Sequence, residues 1–222
     1  MIFNDKFIFV HIGKTGGMSC SRYLLENLDR PVYNCHKAAR DQLRAPKLRH
    51  AIPMEGIGRH CTLIEAMDFI HRFNGKRLID FERVVLVIRH PYSLEYSYFR
   101  HMQKPKILDK NRSHPFFAKL ATLDFKTFIA KSNYHRRDHP QEKFFLVNNQ
   151  IPDIVQLVRF EDLSTMFPRA VAPFTLQGQE LPFPTANRTE YTSSIEEHLT
   201  EEVKELIYQK HKYMFDSGFY LR

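Results

Sequence analysis

The chain has 222 residues, 43% of them apolar, with 19 Phe and 10 Tyr, which is enough to bury a sizeable core without disulfide or metal staples. A formal charge of +8 points to an anionic partner, without choosing among nucleotide, nucleic acid, acidic polysaccharide and membrane surface. Cys20, Cys35 and Cys61 are odd in number and lack a C-x-x-C spacing, so each reads as a buried thiol rather than a bridge or a metal ligand. No secretory leader and no transmembrane segment is legible. Together with the unpaired-looking cysteines, this favours a soluble, cytoplasmic protein and leaves the compartment open.

Phe7 to Ile12 is a short aromatic and β-branched run closed by Gly13, the pattern of a strand buried on both faces at the centre of a sheet. Ser19 to Leu28 carries Tyr23, Leu24 and Leu28 at helical spacing, so strand, glycine turn and helix follow in succession. Thr62 to Phe73 places Leu63, Ala66, Met67 and Ile70 on one face of a crossover helix. Arg83 to Ile88 is the next strand, and Pro91 suits the first position of the helix after it, where a missing amide costs nothing. That helix should carry Ser93, Ser97, Arg100 and His101 on a polar face, with Tyr92, Tyr96 and Phe99 as its apolar stripe.

Gln103 to Pro115 is basic and lacks periodicity, which predicts a mobile loop. Ile154 to Phe160 is a third strand, Pro173 to Pro184 a connector, and Leu199 to Phe215 a terminal helix with acidic residues at its start. The elements alternate as strand and helix, so the expected architecture is α/β: a three-layer, P-loop-like fold with a mainly parallel central sheet flanked by helices. One domain is expected over residues 1–222.

The chemistry concentrates at Gly13-Lys14-Thr15-Gly16-Gly17-Met18-Ser19. Between a strand and a helix, free backbone amides and the positive helix end can hold phosphate oxygens, to which Lys14 adds a charge and Ser19 a hydroxyl. The nucleoside-triphosphatase loop Gly-x-x-x-x-Gly-Lys-Ser/Thr is absent, because Ile8 stands five residues before Gly13 and the paired glycines, Gly16 and Gly17, follow the lysine. The basic cluster Lys37, Arg40, Arg44, Lys47 and Arg49 reads first as a solvated face, then as a groove for an acidic acceptor. His114, His135 and His139 lie in polar stretches where solvated side chains are the first reading, and no metal is expected.

On these residues the sequence resembles the PAPS-dependent sulfotransferases, where PAPS is 3′-phosphoadenosine 5′-phosphosulfate. The likeness is to the carbohydrate branch, of heparan/chondroitin type and sulfotransferase family 2-like, whose first loop typically reads His-x-Pro-Lys-Thr-Gly-Gly-Thr-Ser. Here the stretch is His11-Ile12-Gly13-Lys14-Thr15-Gly16-Gly17-Met18-Ser19, with Gly13 for the proline and Met18 for the threonine. Arg89-His90-Pro91 through Ser97 matches the family's second element, an arginine ending a strand and a serine eight residues on, which grip the 3′-phosphate. Leu94 stands where relatives often carry another arginine. The likeness extends to His60-Cys61-Thr62, Arg159-Phe160-Glu161-Asp162-Leu163, Asn187-Arg188-Thr189 and Phe215 to Tyr220.

The resemblance implies transfer of a sulfuryl group from PAPS to an acceptor hydroxyl by in-line displacement, with adenosine 3′,5′-bisphosphate as product. It implies contacts to the donor from Lys14, Thr15, Gly16, Gly17, Met18, Ser19, Arg89, Ser97 and Arg188. Lys14 would also be catalytic, and His60 would be the general base, with Glu55 and His11 in reserve. A glycan is the favoured acceptor, ahead of a tyrosine peptide or a small alcohol, and nucleic acid is not expected as a partner. A kinase-like phosphotransferase would need a magnesium site and a complete phosphate loop. A non-catalytic module for nucleic acid or acidic glycans would leave the ordered set Lys14, His60, Arg89 and Ser97 unexplained.

Overall fold

The computed structural model describes residues 1–35, 50–110, 119, 122–132, 140–184 and 194–222. Six strands form one mixed sheet: β1 (Ile2–Phe3), β2 (Phe7–Val10), β3 (Val32–Asn34), β4 (Ala51–Pro53), β5 (Arg83–Ile88) and β6 (Val155–Arg159). Their order is β4-β3-β1-β2-β5-β6. The pairs β2/β5, β5/β6 and β3/β4 are parallel, and β1 alone runs antiparallel to both of its neighbours. The fold is therefore α/β with a mostly parallel sheet flanked by helices, as the alternation of patterns predicts.

Asn4 makes the reversal from β1 to β2, its Oδ1 accepting from the amides of Lys6 at 2.9 Å and Phe7 at 2.8 Å. β2 then lies between β1 and β5 with all four residues buried. Its period of two sends Phe7 and Phe9 into a core with Val85, Val87, Tyr23, Leu24 and Phe167. Ile8, Val10, Val84, Leu86 and Ile88 alternate with them and are also buried, which is why these strands read as unbroken apolar runs. The strands that sequence patterning missed, β1, β3 and β4, have only two or three residues each, too few for a period to show.

The chain divides into two compact units, residues 1–88 with 143–188 and residues 89–142 with 189–222. The first holds the sheet with α1 (Gly17–Asn27), α2 (Leu63–Asn74) and the helix at Leu163–Val171. α2 begins where expected because Thr62 caps it: its side chain accepts from the Glu65 amide while the Glu65 carboxylate accepts from the Thr62 amide.

The second unit is helical, with α3 (Pro91–Met102), α4 (Pro105–Lys110) and α5 (Phe125–Lys131). The first unit's Leu163–Val171 helix is α6 in chain order, and the second unit closes with α7 (Glu201–Lys210) and α8 (Lys212–Asp216). Three expectations change here. α3 is buried almost all round rather than along one stripe, because Phe125, Phe128 and Ile129 of α5 and Val203 and Ile207 of α7 enclose Leu94, Tyr96, Tyr98, Phe99 and Met102. Part of the expected loop at 103–115 is α4, with Pro105 at its start. The single terminal helix is broken at His211, whose buried ring meets Glu95 of α3 at 2.7 Å. Among the described residues, no helix is long and apolar enough to cross a membrane.

Candidate functional site

In the first unit β2 ends at Val10, and two residues in left-handed conformation, Lys14 (φ 64°) and Gly16 (φ 78°), turn the chain into α1. An L-residue adopts that conformation at a cost of roughly 1–2 kcal/mol, so surrounding contacts must hold Lys14 in it. One such contact is the buried Thr15 hydroxyl, which donates to the Ile12 carbonyl at 2.8 Å and ties the loop across its base. Another lies under Gly16, where a Cβ would come within 2.6 Å of Leu163 and 3.1 Å of Phe160. The Arg159 to Leu163 segment thus has a concrete role, packing its apolar side chains against the loop.

Gly16 is the N-cap of α1, and its carbonyl accepts from the amides of Ser19 at 3.0 Å and Cys20 at 3.2 Å. Being glycine, it offers no side chain to cap the first turn. The partial positive charge of the helix start therefore lies beside the half-buried Lys14, Gly16 and Met18 and the buried Gly17 and Ser19. A cation, a hydroxyl and backbone amides on one turn form a donor set suited to phosphate oxygens.

Sequence patterning did not reveal how His11, Gly17 and His60 fit together. A Cβ on Gly17 would lie 1.7 Å from Nε2 of His11, so glycine at the first position of α1 is what admits the His11 ring. That ring is 95% buried and sits 4.6 Å, centroid to centroid, from the ring of His60. His60 Nδ1 lies 3.0 Å from the main-chain oxygen of His11. A carbonyl can only accept, so Nδ1 carries the hydrogen, and in the neutral ring Nε2 carries the lone pair. The imidazole next to the loop is thereby set in the tautomer of a proton acceptor at Nε2. The reserve candidates differ: Glu55 is exposed, and His11 is packed as part of the loop's support.

In the second unit Arg89, the residue after β5, is 9% exposed. Its Nε donates to Ser93 Oγ at 2.9 Å, and the Ser93 hydroxyl donates to the His90 carbonyl at 3.1 Å. His90 caps α3, its Nδ1 accepting from the Tyr92 amide at 3.3 Å. Ser97 is buried one turn further along α3. The Arg89 main chain is held on both sides by the side chain of Gln141, a residue that no motif marks and whose partners lie 52 positions away.

Arg188 lies outside the described residues, as do the basic cluster from Lys37 to Arg49 and His114, His135 and His139. The three cysteines are buried, as expected. Burial pushes the Cys35 thiol up to about 12 and raises that of Cys20, which leaves neither as a thiolate nucleophile near neutral pH. Among the described residues, no group of three or more His, Cys, Asp or Glu is arranged to hold a metal. Compared with protein-family models and with curated proteins, the chain matches none.

Proposed function

We propose that the protein is a sulfotransferase that moves a sulfuryl group from PAPS to an acceptor hydroxyl, using a P-loop-like strand, loop and helix for the donor phosphate. The observation that carries this reading lies within one compact unit. A loop with a donor set for phosphate stands beside an imidazole whose Nδ1 is committed to the His11 carbonyl. Group transfer from a phosphate to an alcohol needs that pair: a place for negative charge to gather, and an atom to take the alcohol's proton.

PAPS supplies a sulfuryl group joined to a phosphate leaving group. Lys14, the first-turn amides and Ser19 hold the 5′ side, and Lys14 offsets the charge that grows there in the transition state. Thr15, Gly16, Gly17 and Met18 shape and support that turn. His60 Nε2 accepts the acceptor's proton. Arg89 and Ser97, with Arg188, would bind the 3′-phosphate, with charge-assisted donors from the guanidinium. The acceptor class follows the branch resemblance: a carbohydrate hydroxyl first, then a tyrosine phenol or a small alcohol.

Recognition of the 3′-phosphate separates this reading from a kinase-like phosphotransferase. Calorimetry should show tighter binding of adenosine 3′,5′-bisphosphate than of AMP, with Arg89→Ala erasing most of the difference, roughly 1.5–3 kcal/mol for a charge-assisted partner. Equal affinity for the two nucleotides in the native protein would rule the reading out.

A further inference from the structure

Gln141 is 1% exposed, and its amide makes two hydrogen bonds to the main chain of one residue. Oε1 accepts from the Arg89 amide at 2.8 Å, and Nε2 donates to the Arg89 carbonyl at 2.7 Å. A carboxamide carries a donor and an acceptor side by side, as a peptide group does, so it can pair with a strand residue as a neighbouring strand would. The sheet ladder ends one residue earlier, where Ile88 pairs with Arg159. Gln141 thus gives the Arg89 main chain a strand-like pairing, just before Pro91 begins α3.

Buried main-chain groups at a strand end must find partners. Water or a neighbouring loop would satisfy them equally well in energy. A buried carboxamide does more, because its planar pair of bonds fixes the position and tilt of the Arg89 peptide groups. The side chain of the same arginine is tethered separately through Nε to Ser93. Arg89 is thus held at its main chain and along its side chain before any ligand arrives, the arrangement that lets a charged donor bind without first losing conformational freedom.

We propose that Gln141 is a positioning residue that sets Arg89 for recognition of a 3′-phosphate and so contributes to nucleotide selectivity. This rests on the sulfotransferase reading and adds a residue that touches no ligand itself.

The test is calorimetry with adenosine 3′,5′-bisphosphate and with AMP on the native protein, Gln141→Glu and Gln141→Met, with thermal melting measured alongside. Glu keeps the size and the acceptor but loses the donor, and Met keeps the length and loses both. Each variant should bind the bisphosphate about tenfold more weakly, the effect of about one net hydrogen bond, with AMP affinity little changed. Variants that keep the native ratio of affinities would overturn the inference. An equal loss for both nucleotides would overturn it too, since that marks a general structural role. If the native protein shows no preference, the sulfotransferase reading fails and the inference falls with it.

Discussion

Glycine at position 17 and histidine at position 11 act as one unit, because the ring of the second occupies the space where the first would carry a Cβ. Gly17→Ala should therefore do more than change helix propensity. With His11 in place it should destabilise by about 1–3 kcal/mol, the usual cost of overpacking, and displace the carbonyl that orients His60. Combining Gly17→Ala with His11→Ala should recover most of that loss, so a double-mutant cycle read by denaturant unfolding should show strong coupling. Additive effects would mean that the ring moves aside without resistance.

Lys14 and His60 differ in what their removal should cost. Lys14→Gly keeps the left-handed backbone without strain, so the fold should hold while turnover falls on the order of a hundredfold or more. His60→Ala should leave nucleotide binding near native and lower turnover roughly 10²–10⁴-fold. Single-turnover measurements separate the two roles. Native-rate transfer by either variant would return its role to another group.

At the scale of elements, the second unit is organised around a buried carboxylate. Glu95 on α3 is 1% exposed and meets His211 Nε2 at 2.7 Å and Lys210 Nζ at 3.1 Å, at the junction of α7 and α8. Burial first, and the Glu95 charge second, raise the pKa of the neighbouring Tyr98 phenol. Removing one partner of such a buried set leaves the others uncompensated, so Glu95→Ala should destabilise by about 3–5 kcal/mol in denaturant unfolding. A change within a few tenths of a kcal/mol would show that the set holds nothing together. The same contact falls at the break in the terminal helix. The run Leu199 to Phe215 has an acidic start and enough periodicity to suggest one helix, and nothing local announces that residue 211 is drawn to a glutamate 116 positions earlier.

Legibility in the sequence followed the range of the forces involved. β2 and β5 could be read because strands covered on both faces need unbroken apolar runs, and α2 because Thr62 and Glu65 stand at capping-box spacing, whereas β6 is a half-exposed edge strand legible from the short run Ile154 to Phe160. The loop at Lys14 was legible because its glycines and its place between strand and helix are local features. The Gln141 clamp was not, since its partners are main-chain groups that every residue has. Nor was the tautomer of His60, which depends on the carbonyl of a residue 49 positions away.

For the whole molecule, the formal charge of +8 and the loop's donor set favour an anionic ligand, but charge alone does not distinguish a donor nucleotide from an acidic surface. Catalysis does. The most direct measurement is transfer from PAPS labelled in its sulfuryl group to pooled glycans, tyrosine peptides and small alcohols, with native protein and His60→Ala run side by side. Label is expected on at least one acceptor hydroxyl, with glycans first, together with release of adenosine 3′,5′-bisphosphate in equal amount, and with loss of both signals in the variant. No transfer to any acceptor from a protein shown to bind the bisphosphate, or equal transfer by the two proteins, would contradict it.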